Sequence, residues 1–293
     1  MKAAVLGATG FVGRALVPAL AEHADVVAVS RRGDAPEAGR VRAVAADAAD
    51  AAALRRALDA VDVLYYLVHS LGSANFSEVD KRAAETVAAE AERAGVRQVV
   101  FLGGLGDDRT DLSPHLRSRA ETAAILSGGA VPVTTLRAAV VVGRGSAGFD
   151  TIVALVDRLP LMIAPRWISV PTQPIALEDV VGYLAGVAGH PDTIGETFDV
   201  GGPEVLTYRD MIERIAHLRG HRRRIVEIPI LSPRLSSYWL HLVTPVRASV
   251  ARPLVEGLRN PTIARDDRIR HLLPCTLTGF DEAARHALAA PNA

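Results

Sequence analysis

Gly7, Gly10 and Gly13 recur at a spacing of three directly after the short apolar run Ala3-Ala-Val-Leu6. A glycine at the first position permits a tight turn off a strand. At the second it lets backbone approach a pyrophosphate with no Cβ in the way, and at the third it lets the next helix pack closely on the sheet. The amides at the start of that helix then face the phosphates. A tight turn needs glycine whether or not it binds anything, so the flanking elements decide the reading. An apolar helix over 11–20 and a second strand over 25–30 complete a βαβ unit, which makes this the opening of a dinucleotide-binding domain.

Other side chains able to do chemistry are dispersed. His69 lies just past the apolar run 61–68, where open α/β sheets place ligands, and is a candidate for lining a nicotinamide pocket. His115 and Arg119 stand four apart, a spacing that puts both on one helix face. An imidazole there can donate a proton near neutral pH, and a guanidinium can bond a ribose and stabilise developing negative charge. Arginine stays protonated, so it cannot relay protons. The plainer alternative makes His115 an ordinary surface histidine near a helix start, with Arg119 only gripping cofactor. Tyr65 and Tyr66 carry phenols but sit inside the apolar run and read as packing. The histidines form no cluster at metal-ligand spacing, so no metal site is expected. There is no Gly-x-Ser-x-Gly elbow of a hydrolase. Gly143-Arg-Gly-Ser-Ala-Gly148 lacks the lysine and spacing of a P-loop and instead shapes the route out of the sixth strand.

The elements that position these residues follow from the pattern of the chain. Strands are expected over 41–46, 61–68, 98–102 and 133–142, with helices over 51–60 and 75–94, which gives a Rossmann-type doubly wound parallel sheet. From about Gly143, Pro160, Pro165, Pro171 and Pro174 predict irregular chain or short strands. Helices return over 177–188 and 207–219, the latter with Thr207 as N-cap. The expected division is a Rossmann core over 1–143 and, over 144–293, a small C-terminal α+β lobe for substrate or partner, with segments returning to the core. Residues 225–229 and 231–243 are placed in that lobe, over the nicotinamide end. The stretch 232–243, with Tyr238 and Trp239, reads as a helix packed in the lobe's core, or else as a lid, an apolar pocket wall or an interfacial helix.

With 33 basic and 33 acidic residues among 293, the chain has no net field favouring nucleic acid or anionic membrane. Its one basic cluster, Arg219-Gly-His-Arg-Arg-Arg224, reads as a solvated loop. A single cysteine, Cys275, excludes an internal disulfide and fits a reducing compartment. With no leader-like segment and no apolar stretch of membrane-spanning length, a cytoplasmic protein is expected.

Several segments together resemble the atypical or extended short-chain dehydrogenases/reductases. The likeness is strongest to the NAD(P)H-binding branch related to the accessory NAD(P)H-binding subunit of complex I and to NmrA-like proteins. The segments are Gly7-Ala-Thr-Gly-Phe-Val-Gly13, Val99-Val-Phe-Leu-Gly-Gly-Leu-Gly106, Leu112-Ser-Pro-His-Leu-Arg-Ser-Arg-Ala-Glu121, Leu136-Arg-Ala-Ala-Val-Val-Val-Gly143, Gln173-Pro-Ile-Ala-Leu-Glu-Asp-Val180 and Phe198-Asp-Val-Gly-Gly-Pro203. The resemblance implies a cofactor site formed by Gly7, Thr9, Gly10, Phe11, Val12, Gly13, Ser30, Arg31, Arg32, Asp47, Ala48, Leu67, Val68, His69, Gly103, Gly104 and Arg119. Asp47 would face the adenine edge; alternatively, or in addition, it caps the helix that starts at Ala51. The end of the second strand reads Ser30-Arg31-Arg32 with no carboxylate to hold ribose hydroxyls, which favours NADP(H) over NAD(H).

Typical members of this superfamily exchange the substrate proton through a tyrosine in Tyr-x-x-x-Lys, beside a serine. Here the serine position falls on Gly103-Gly104, His115 takes the tyrosine slot and Arg119 the lysine slot. Two functions therefore stand open: an NADP(H)-dependent oxidoreductase acting on a carbonyl or quinone-like compound, and a non-catalytic NADP(H)-binding redox sensor or assembly protein. No sequence feature names the substrate or a protein partner.

Overall fold

The computed structural model describes residues 1–70, 75–106, 113–228 and 260–290. The chain opens with β1 (Lys2–Leu6), α1 (Phe11–Ala21), β2 (Asp25–Ser30), β3 (Val41–Ala45), α2 (Ala51–Ala57), β4 (Val63–Tyr66), α3 (Phe76–Arg93), β5 (Gln98–Gly104), α4 (Pro114–Ser127) and β6 (Val133–Ala138). It continues through β7 (Val141–Val142), α5 (Ala147–Arg158), β8 (Leu161–Pro165), β9 (Pro171–Thr172), β10 (Ile175–Ala176), α6 (Leu177–Gly186), β11 (Thr197–Val200), β12 (Leu206–Thr207), α7 (Tyr208–Leu218) and β13 (Arg224–Ile228). Two further helices, α8 (Arg268–Leu272) and α9 (Phe280–Ala289), follow.

Seven strands form one sheet in the order β11-β6-β5-β4-β1-β2-β3, all parallel, as expected for a Rossmann-type fold. A strand buried on both faces reads as a continuous apolar run, and β1 from Ala3 onward and the whole of β4 do. Ala3, Val5 and Tyr65 pack with α1 and α6 on one face, while Ala4, Leu6 and Tyr66 pack with α2 and α3 on the other. Both tyrosines are fully buried; Tyr65 Oη donates to the Leu184 carbonyl at 3.0 Å, whereas Tyr66 Oη has no hydrogen-bond partner among the described residues.

The second half departs from the sequence expectation first in a helix. Residues 147–158 form a full helix, α5, in place of irregular chain or short strands. Phe149, Ile152, Val153 and Val156 lie buried at helical spacing, and the proline series begins only at Pro160, beyond the helix end. After α5 the prolines do cut the chain into the short strands β8, β9 and β10. The expected sixth strand over 133–142 divides into β6, which joins the main sheet, and β7, which pairs with β10. α5, α7 and α9 enclose a separate apolar cluster that includes Phe149, Met211, Ile215 and Phe280. Thr207 caps α7 as expected, in a reciprocal capping box with Asp210. The segment 231–243, with Tyr238 and Trp239, lies outside the described residues.

Candidate functional site

The glycine turn forms the first part of the site. Gly7 turns with φ +88°, and its amide and that of Ala8 both donate to the Val29 carbonyl at 3.1 Å, pinning the turn to β2. A Cβ on Gly13 would lie 2.2 Å from the Gly7 carbonyl oxygen and 2.9 Å from Ala8 Cα, so the start of α1 closes on the turn at a distance only glycine allows. Gly10 is the N-cap residue of α1 and supplies no side-chain cap. The first-turn amides, which no intrahelical carbonyl can reach, are thus left for an external acceptor. That is the arrangement a pyrophosphate fits. Gly10 is exposed and Thr9, Phe11 and Val12 are partly exposed around this mouth. Gly143 closes in on the Phe11 ring, where a Cβ would lie 3.0 Å away, so the glycine run after β7 packs against the start of α1.

At the end of β2 the structure corrects the sequence reading that no carboxylate is present. Gly33, with φ +66°, turns the chain back so that Asp34 returns to the strand end. Ser30 Oγ donates to Asp34 Oδ1 at 2.8 Å and Arg32 Nε to Asp34 Oδ2 at 2.6 Å. These hydrogen bonds, Ser30 first and Arg32 second, hold the Asp34 carboxyl below its usual range. Arg31 and Arg32 are both exposed, and Arg32 is the one engaged by Asp34. The cap of α2 is Asp50, which accepts from Ala53 N at 3.0 Å; Asp47 instead accepts from Ala49 N at 2.9 Å. Asp47 is exposed at the end of β3 and Ala48 is buried beside it.

The third part lies beyond the C-terminal ends of β4 and β5. Leu67 and Val68 continue past β4, with Leu67 N donating to the Leu6 carbonyl at 3.0 Å, and deliver His69 to the site. His69 Nε2 lies 2.9 Å from His115 Nδ1, on the first turn of α4, with the ring centroids 4.8 Å apart and the planes tilted by 31°. On its other side His69 Nδ1 lies 2.8 Å from Asp80 Oδ2. Asp80 Oδ1 accepts from Ser70 N at 2.9 Å, and Ser118 Oγ donates to Oδ2 at 3.3 Å. Arg119, 8% exposed, donates to the Val68 carbonyl at 3.2 Å and to the Leu102 carbonyl, and its guanidinium stacks over Phe101 at 4.5 Å. It thereby ties the ends of β4 and β5 together. Gly104 lets α4 approach β5, since a Cβ there would meet Leu116 at 3.0 Å; a Cβ on Gly103 would meet the Phe101 ring at 3.2 Å.

Burial sets the charge of this cluster. Desolvation, reinforced by His69 and Arg119, pushes His115 down to about 3, so it is neutral at pH 7. Desolvation also lowers His69, against the opposing pull of Asp80. Burial works to raise Asp80, but the hydrogen bonds from His69 and Ser70 outweigh it and hold the carboxyl below its usual range. His69, His115 and Arg119 are therefore brought together, as their positions at strand ends and on one helix face implied. Asp80 and Ser118 were missed. The signal for Asp80 was a carboxylate inside the apolar stripe of α3, among Ala83, Ala84, Val87 and Ala91.

Residues 7–142 match the NAD(P)H-binding family. That match takes in just under half of the chain. The chain is 24% identical over 241 residues to NADH dehydrogenase (ubiquinone) 1 alpha subcomplex subunit 9, mitochondrial, of Arabidopsis thaliana; the match takes in 78% of this chain and 60% of that one. The chain thus spans less than two thirds of that relative's length. It is 29% identical over 244 residues to the (4-alkanoyl-5-oxo-2,5-dihydrofuran-3-yl)methyl phosphate reductase of Streptomyces griseus, covering 78% of each. Among solved structures, the NADPH-dependent quinone oxidoreductase QOR2 of Escherichia coli, complexed with NADPH, aligns with TM-score 0.77 at 20% identity over 98% of this chain and 99% of that one. The triphenylmethane reductase of Citrobacter sp., complexed with NADP(H), aligns with TM-score 0.75 at 16% identity over 98% of this chain and all of that one (100%). No helix among the described residues is long and apolar enough to cross a membrane.

Proposed function

We propose that this protein is an NADP(H)-dependent oxidoreductase acting on a carbonyl or quinone-like compound, with the His69–His115 pair exchanging the substrate's proton. The observation that carries it is the hydrogen-bonded pair of imidazoles, backed by a buried carboxylate, beyond the C-terminal ends of the strands where open α/β folds bind ligands. An ordinary surface histidine does not gather such a chain behind it. Bound NADP(H) supplies or accepts the hydride. The amides of α1 would hold its phosphates and Arg31 its 2′-phosphate, while Arg119 keeps the ends of β4 and β5 in register beneath His69. His115 exchanges a proton with the substrate oxygen. Because it is neutral at pH 7, it delivers a proton only after the pair has taken one up. The relatives support the substrate class by their names, which include a reductase of an oxo-dihydrofuran and a quinone oxidoreductase.

The test follows the nicotinamide absorbance of NADPH against a panel of quinones and aldehydes. Turnover is expected with at least one compound and should fall by about 10²–10⁴-fold in His115→Ala, with NADPH affinity retained. Turnover untouched by the substitution would move the proton donor elsewhere. Tight NADPH binding with no oxidation across the panel would favour a non-catalytic sensor or assembly protein. The absent tyrosine and the engagement of Arg119 with backbone carbonyls support that second reading.

A further inference from the structure

We infer that Asp80 sets the route of the proton through the histidine pair by fixing the tautomer of both rings, leaving Nε2 of His115 as the proton acceptor of the resting protein. The use of this device in catalysis rests on the oxidoreductase reading; the tautomers belong to the folded protein alone. Asp80 is 1% exposed and, among the described residues, receives only donors: the Ser70 amide, the Ser118 hydroxyl and His69 Nδ1. A carboxylate accepts and does not donate, so His69 Nδ1 carries the hydrogen. A neutral His69 then has a bare Nε2. The 2.9 Å contact to His115 Nδ1 needs one hydrogen, and only His115 can supply it. Its own Nε2 is left bare, open to a proton from outside the chain.

The charged groups acting on the pair are Asp80 from α3 and Arg119 from α4, while Ser118 from α4 bonds to Asp80 and Tyr66 from β4 lies within the field of Asp80 and Arg119. Arg119 repels a proton on either ring, and Asp80 attracts one to the ring it touches. When a substrate hydroxyl gives its proton to His115 Nε2, the Nδ1 proton of His115 passes to His69 Nε2, and the imidazolium forms against Asp80. The substrate carbon meanwhile loses its hydride to the bound cofactor, so two electrons and two hydrogen nuclei leave the alcohol and a carbonyl remains. Reduction runs each transfer in reverse. Asp80 touches no reacting atom and is a positioning residue.

The experiment is a two-bond ¹H–¹⁵N correlation spectrum of the 293-residue chain labelled at histidine, at neutral pH, with His69→Gln and His115→Gln used for assignment. Both histidines are expected as Nδ1–H tautomers, the form less favoured for free imidazole side chains in water. In Asp80→Asn the side-chain amide can donate to His69 Nδ1, so both rings should invert to Nε2–H. Finding His115 as Nε2–H in the unaltered protein, or unchanged tautomers in Asp80→Asn, overturns the inference. This readout needs no turnover, so it stands apart from the substrate panel. Where turnover is found, Asp80→Asn should lower kcat by about 10²–10⁴-fold and displace its pH profile with cofactor affinity unchanged, and Asp80→Glu should recover part of the loss. An unchanged profile would overturn the catalytic use of the relay.

Discussion

His115 is held neutral by its surroundings, and that has a measurable cost in acid. Its folded pKa, about 3, lies far below the value of 6.5 for the free side chain. Between those two values the unfolded chain binds more protons than the folded one, so stability is lost as pH falls from 6.5 towards 3. Urea unfolding midpoints measured down this range should decline, and His115→Gln should flatten the decline. A slope unaltered by the substitution would mean that His115 ionises normally in the fold. At the end of β2, Arg31→Ala should weaken NADPH by about 10-fold or more while sparing NADH. Asp34→Ala, which releases Arg32, should shift the balance further towards NADPH; titrating each variant with both cofactors checks both outcomes. The residues legible in the sequence were those marked by position: His69 past a strand, His115 and Arg119 one helical turn apart. Asp80 meets partners 11 and 38 positions away, and only the packing of α3 against α4 reveals them. Asp34 was hidden because a turn at Gly33, not sequence adjacency, brings it to the strand end.

At the level of elements, β1, its glycine turn and α1 act as one piece. Gly13→Ala forces a methyl group against the Gly7 carbonyl, and the neighbours are backbone that cannot swing aside. The expected result is a loss of about 1–3 kcal/mol in stability, or more, together with weakened NADPH binding. Calorimetry with and without cofactor measures both, and a variant as stable and as tightly binding as the parent would contradict the geometry. In the second half, Thr207→Ala removes the capping box of α7 and should cost about 0.5–2 kcal/mol with no effect on cofactor affinity. The parallel sheet was readable because a strand covered on both faces leaves a continuous apolar signature, as in 61–68. Even there the pairing stops at Tyr66, and the chain beyond it becomes the loop that carries His69. The helix α5 escaped notice because glycines before it and prolines after it gave a breaker-rich composition that masked its apolar stripe.

Across the whole molecule, the strand order places β1 between β4 and β2, so the cofactor cradle grows out of the middle of the sheet. Gly7 N and Ala8 N bond to β2 on one side, and Gly7 packs against Leu67 beyond β4 on the other. A ligand seated there braces three strands and the start of α1 together. By mass action, NADPH at a hundredfold its dissociation constant should stabilise the fold by about 2.7 kcal/mol. Inside a cell this ties the protein's survival to its cofactor. Proteases act on the opened chain, so with the proposed cofactor, copies emptied of nicotinamide should be cleared sooner than loaded ones. Abundance should then follow the nicotinamide pool with no dedicated regulator, and a fall in that pool would thin the population of this protein before any change in its synthesis.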